Sequence, residues 1–395
     1  MGIPTHLSPG EIEEFGREMD AIRNEVMDSR GARDRQYILR VIRAQRLLAL
    51  SGRIVMMLSL LASPWSQLAW ADMTLFLVVM GTGAFMLGLA KIIENMEIGH
   101  NVMHAQWDWM RDPNIQSNTW EWDNVCPSDQ WKHSHNVVHH TWTNVLGKDP
   151  DVGYGVLRVS GVQRWHRRYL WNPVVNFVLM LLFQWGVAVH DLHLGRLISG
   201  KATLDQMRPK LKKSIAKAAY QLRKDYLLWP LLGAVVSLPV SLALDLDAGS
   251  IALSAFFSLV LANVVANVTR NVWTNVIIFC GHFPEGVHHF KAKDVEGETR
   301  AQWYLRQLLG SCNIEGGPLF HILSGNLSHQ IEHHLFPDMP SNRYPEVAPR
   351  VRALAHRYGL TYNSGSFRRQ LGSTTWNIWK LGFVKQVQSP QSSPV

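Results

Sequence analysis

Three stretches of this chain are nearly free of charge, residues 54 to 90, 169 to 189 and 226 to 280, while Lys, Arg, Asp and Glu crowd between them. Long uncharged runs need an apolar solvent on their outer faces, so this segregation points to a chain that crosses a bilayer several times. A spanning helix needs about 20 residues. The runs Ile54 to Trp70 and Met73 to Ile93 read as a hairpin of two spans, and 226 to 244 and 251 to 279 as two more around the turn LDLDAGS. The run Val174 to Val189 is shorter, and the segment after it, 196 to 224, carries nine Lys and Arg against Asp205 alone. Basic loops stay in the cytoplasm. If 174 to 189 crossed, this loop would face outward, so 174 to 189 is expected to lie in the interface without crossing.

The expected fold is therefore all-α: a polytopic membrane protein with four transmembrane helices and a cytosolic helical cap. Residues 1–53 read as cytosolic amphipathic helices, 54–375 as the main domain and 376–395 as a disordered tail. The N-terminal words lack a basic region followed by an apolar core, so no cleavable signal is expected. Both termini and all the histidine clusters then fall on the cytoplasmic face of the inner membrane. The net charge of +8 follows from this loop topology and from contact with anionic membrane lipid, and no nucleic-acid partner is expected. The three cysteines are widely spaced and encode neither a disulfide framework nor a CxxC site. Trp107, Trp109, Trp120, Trp122, Trp131 and Trp142 read as an interfacial aromatic belt.

Histidine carries the chemistry. GHNVMH places His100 and His104 four apart, about 40° around one helical face. HSHNVVHH repeats the spacing with His135 and His139, and His140 points about 100° further round. HQIEHH gives His329, His333 and His334 in the same pattern. A neutral imidazole lone pair near pH 7 is the commonest transition-metal ligand, and a His doublet on a helix suits two neighbouring metals better than one. Three such clusters on one membrane face describe a dinuclear site. His282 stands where the last span ends and can reach it. His190, His193, His166 and His321 read as structural, and His288 with His289 as a solvated pair.

These clusters and the words around them, HHTWTNVLGKDPDVGYG, HQIEHHLFPDMPSNRY, KIIENMEIGHNVMH and NVIIFCGHFPEG, resemble the membrane-bound histidine-box fatty acid desaturases, most of all bacterial acyl-CoA Δ9 desaturases. The resemblance implies metal ligands at His100, His104, His135, His139, His140, His282, His333 and His334, with either Gln330 or His329 opening the third box. The family position is Gln330, whereas lone-pair chemistry favours His329. The resemblance further implies two iron ions, O2 as co-substrate and a long-chain acyl substrate, with acyl-CoA favoured. The electron donor would be a separate protein, such as a ferredoxin or a flavin and iron–sulfur reductase using NADPH, because the chain carries no cytochrome b5 motif. Glu97, Asn101, Asn136, Asp149, Asp151, Asn326 and Glu332 are candidate partners that orient imidazoles. Arg164, Arg167 and Arg168 are candidates for the CoA phosphates. Front-end or acyl-lipid desaturation and hydroxylation are the neighbouring activities. A metal transporter is the non-enzymatic alternative, although its ligands would sit near the bilayer midplane, where these spans carry almost no ionisable groups.

Overall fold

The structure is a computed structural model that describes residues 5–64, 68, 71–198 and 200–385. Helix α1, Pro9–Asp28, begins at a capping box in which Ser8 and Glu11 satisfy each other's backbone donors. Among the described residues, four helices are long and apolar enough to cross a membrane: Ala32–Ala62, Met73–Met103, Leu204–Ala243 and Ala248–His282. The first contains α2, Ala32–Ser59, so a boundary at residue 53 cuts an unbroken helix. Residues 65–67, 69 and 70 of the first apolar run lie outside the described residues. Helix α3, Met73–Ile93, packs on α2 through Gly52 and Gly83, where a Cβ on either would come within 2.9 Å or less of the other's carbonyl oxygen. Small residues at such a crossing let two backbones approach in lipid.

The run 174 to 189 forms two helices, α4, Asn172–Leu181, and α5, Phe183–Asp191, bent 99° from each other. Helix α6, Leu204–Arg223, leads through one wide turn into α7, Trp229–Ala243. Helix α8, Ala248–His282, has 35 residues. At about 1.5 Å per residue it is roughly 50 Å long, against a hydrocarbon core of about 30 Å. It is therefore long enough to cross and still carry His282 past the hydrocarbon core. Charges between α3, α8 and the segments packed on them are paired: Lys91 of α3 lies 2.9 Å from Asp225 and 3.2 Å from Asp123, and Arg270 of α8 donates to the Asp123 carbonyl at 3.1 Å. Pairing of this kind is what makes buried charge tolerable.

The cap is completed by α9, Arg300–Leu309, α10, Gln330–Leu335, α11, Tyr344–Arg357, and α12, Phe367–Phe383. Two short parallel pairs stitch it: β1, Val145–Leu146, with β2, Phe290–Lys291, and β3, Asn313–Glu315, with β4, Ser364–Ser366. Helix α12 corrects the expectation of disorder from residue 376. It runs to Phe383 because Ile378 and Leu381 bury on its inner face, and only the remainder of the tail, 386–395, lies outside the described residues. The Trp-rich segment is also not simply a belt. Trp107, Trp122 and Trp131 are buried, Trp107 packed with Ile38, Ile42 and Ile98, and Trp122 and Trp131 with Phe183, Phe279 and Phe283.

Candidate metal centre

A wide helical turn with i→i+5 bonding, Glu94–His100 at the end of α3, leads into the first box, and a second, His133–His139, contains His135 and His139 of the second. Such turns re-aim side chains, so the rule of 40° for residues four apart does not hold between His135 and His139, whereas His104 still bonds back to the His100 carbonyl at 3.1 Å. The consequence is visible in box two. His135 joins His100, His104 and His333 in one group whose ligand atoms lie within 4.8 Å of one another, while His139 joins His282 and His334 in a second. The doublet of the third box is likewise divided between the groups. His140 stands between them, with ring centroids 4.7 Å from His104, 4.8 Å from His333 and 4.6 Å from His334.

Five of the rings are held by their outer nitrogen. Nδ1 of His100 pairs with Asn101 Oδ1 at 2.9 Å, and Nδ1 of His139 with both oxygens of Asp149 at 3.0 and 3.1 Å. His282 Nδ1 donates to the Ile278 carbonyl at 2.8 Å. His334 Nδ1 meets Thr143 at 3.2 Å, and His333 Nδ1 meets the Tyr344 hydroxyl at 3.4 Å. Because Thr143 and Tyr344 give their own protons to the carbonyls of His139 and Phe336, both hydroxyls accept from the imidazoles. These partners fix the tautomer, leaving the Nε2 lone pair to face inward. Nε2 of His104, His135 and His333, both nitrogens of His140 and Oε1 of Gln330 are buried with no hydrogen-bond partner. Burial first, then neighbouring imidazoles, holds His104, His140, His333 and His334 well below the ordinary imidazole pKa of 6.5. Neutral inward-facing lone pairs without partners are the donor set that a transition-metal cation satisfies.

Gln330 and His329 part company. Gln330 opens α10 and lines the same cavity as His100, His135, His139 and His282. It lies so close to α8 that a Cβ on Gly281 would come within 2.9 Å of its side chain. His329 belongs to neither group. It ends a tight turn before α10 begins, so helical spacing to His333 does not apply, and its ring packs 4.5 Å from His321 beside a separate surface groove.

The candidate orienting residues also divide. Asn101 and Asp149 bond imidazoles directly, and Asp151 lies 3.7 Å from Nδ1 of both His135 and His139. Glu97 instead accepts from Tyr37, Ser341 and Asn326, and so binds the cap to α3. Asn136 donates to the Met103 carbonyl, and Glu332 accepts from Asn313 and Tyr362 while reaching only His329, at 3.9 Å. These four touch no imidazole of either group. Sequence reasoning missed Thr143 and Tyr344, which no spacing rule connects to the boxes. It also missed His190, which lies 3.1 Å from Asp151. His289, expected to be solvated, has a buried Nε2 and stacks on Phe283. Arg164, Arg167 and Arg168 are exposed, and Arg168 bonds Tyr169 at 3.1 Å. The cavity beside the groups is walled by Trp122, Trp131, Tyr154, Phe183, Val187 and Ile278, with α5 forming one side.

Residues 74–366 match the family model described as fatty acid desaturase. The chain is 49% identical over 376 residues, 95% of its own length and 81% of the relative's, to the NADPH-dependent stearoyl-CoA 9-desaturase of Mycobacterium tuberculosis, in both the CDC 1551 and H37Rv strains. It is 25% identical over 312 residues, 75% of its length and 80% of the relative's, to the sn-1 linoleoyl-lipid 6-desaturase of a Synechocystis strain. With four helices long and apolar enough to span among its described residues, and with its clustered histidines, this multi-pass membrane protein belongs to the fatty acid desaturase family of oxidoreductases.

Proposed function

We propose that the chain inserts a cis double bond at the Δ9 position of a long-chain acyl-CoA. The observation that carries the reading is the convergence of inward-facing imidazole nitrogens on an aromatic-walled cavity, in a chain half identical to a stearoyl-CoA 9-desaturase. His100, His104, His135 and His333 would hold one iron ion, and His139, His282 and His334 the other. His140 stands between them, and Gln330 offers its amide oxygen directly or through water. Iron fits better than zinc because the reaction is a redox one. Bound there, iron supplies O2 reduction: a –CH2–CH2– unit, O2, two electrons and two protons give a cis –CH=CH– unit and two waters.

The chain's own residues place the substrate. The apolar walls take the acyl chain, exclude bulk water and set which carbons face the histidines. Exposed Arg164, Arg167 and Arg168 present guanidinium groups suited to the CoA phosphates. Electrons come from NADPH through a separate flavin or iron–sulfur protein docking on the cytoplasmic face, where both termini also lie. The test is fatty-acid profiling of a host expressing the chain, with double-bond positions mapped by mass spectrometry. New Δ9 cis-monoenes are expected; Δ6 or hydroxylated products would overturn the assignment.

A further inference from the structure

Helix α5 ends on two adjacent residues that both grip the second histidine box. Asp191 is buried and accepts from Ser134, the residue before His135, at 2.9 Å and from Cys126 at 3.0 Å. His190 Nε2 meets Asp151 Oδ1 at 3.1 Å, and its ring leans on Tyr154 with centroids 5.1 Å apart. The other oxygen of Asp151 lies 3.7 Å from Nδ1 of both His135 and His139, one imidazole from each group. The same helix lines the acyl cavity with Phe183, Gln184 and Val187.

We infer that His190 is a positioning residue: it holds the Asp151 carboxylate behind the His135 and His139 rings and so couples a wall of the acyl cavity to both metal positions. The physical need is specific. Asp151 has one oxygen beyond hydrogen-bond length from two imidazoles, and its backbone N–H is committed to Asp149 at 2.9 Å. His190 on Oδ1 opposes rotation of the carboxylate toward the nitrogens of His135 and His139, with which Asp151 already forms a group spanning under 4.8 Å. Outer partners of this kind typically alter metal affinity by about 10- to 100-fold. The inference rests on the metal reading above.

The test compares full-length wild type, His190→Ala and His190→Gln, each loaded with ferrous iron and challenged with a chelator, with iron per chain and the melting temperature of the metal-free protein as readouts. Gln keeps an N–H donor near the position of Nε2. Expected are a loss of iron affinity of about 10-fold or more for Ala, near wild-type retention for Gln, and metal-free melting temperatures alike for the two variants. Iron held by Ala as firmly as by wild type overturns the inference, as does equal iron loss from both variants. A wild-type chain that takes up no iron overturns the metal reading and the inference with it.

Discussion

His282 Nε2 stands 3.0 Å from His334 Nε2 and 3.3 Å from His139 Nε2, three lone-pair nitrogens from three distant parts of the chain meeting at one point. With the Nδ1 of each ring engaged elsewhere, this point needs a cation. His282→Ala is expected to lower iron from about two to about one per chain and to abolish desaturation, with the protein still inserted in the membrane, because only the second group loses a ligand. Iron analysis of the purified variant checks it, and undiminished iron would count against His282.

The third box makes an asymmetric pair of expectations. His329→Ala should keep iron and at least about half of the activity, since its ring packs on His321 outside both groups. Gln330→Ala should lower activity by about 10-fold or more, as for loss of an outer metal partner, because its buried Oε1 lies at the cavity without another partner. Product yield and iron content measured side by side decide between them. Equal effects would contradict the placement.

Much of this centre was legible in the letters. The boxes stand out because chelation needs imidazoles in close sequence, and the spans because lipid tolerates almost no charge. What was not legible depends on bonding or packing that spacing does not encode. The pattern HxxxH is the same whether the helix bonds i→i+4 or i→i+5, so the separation of His135 from His139 could not be read. His329 and Gln330 looked equivalent until the tight turn ended between them. Trp122 and Trp131 carry interfacial composition but fold inward, a consequence of contacts with residues far along the chain. His190 follows an apolar run with no box of its own, and only the bend between α4 and α5 brings it to Asp151.

Acid should destabilise the metal-free chain. His104, His140, His333 and His334 have folded pKa values below the ordinary 6.5, so as pH falls under that value the unfolded chain takes up protons that the folded one refuses. Stability is then present above pH 6.5 and lost below it. Glu332, raised to about 7 by burial, and Asp191, raised to about 6 by burial, act in the opposite direction, as do His139 and His190, whose burial is outweighed by the aspartates beside them; His135, His289 and His329, lowered by burial, add to the four. Melting of metal-free protein in detergent should occur at lower temperature at pH 5 than at pH 7; a higher value at pH 5 would contradict the sign.

Helix α6 pairs with the segment before the second histidine box, Lys213 with Asp129 and Lys217 with Glu121 at 2.8 Å, so the basic helix lies beside the histidines. A reporter placed at residue 205 should be found in the cytoplasm of intact cells. Detection on the outer face would mean that 174 to 189 crosses.

If each group of imidazoles holds one iron, active wild-type protein must carry both. Elemental analysis of the purified, active chain should find about two irons per chain and no stoichiometric zinc. Active protein with zinc and no iron would show that the imidazoles serve another metal.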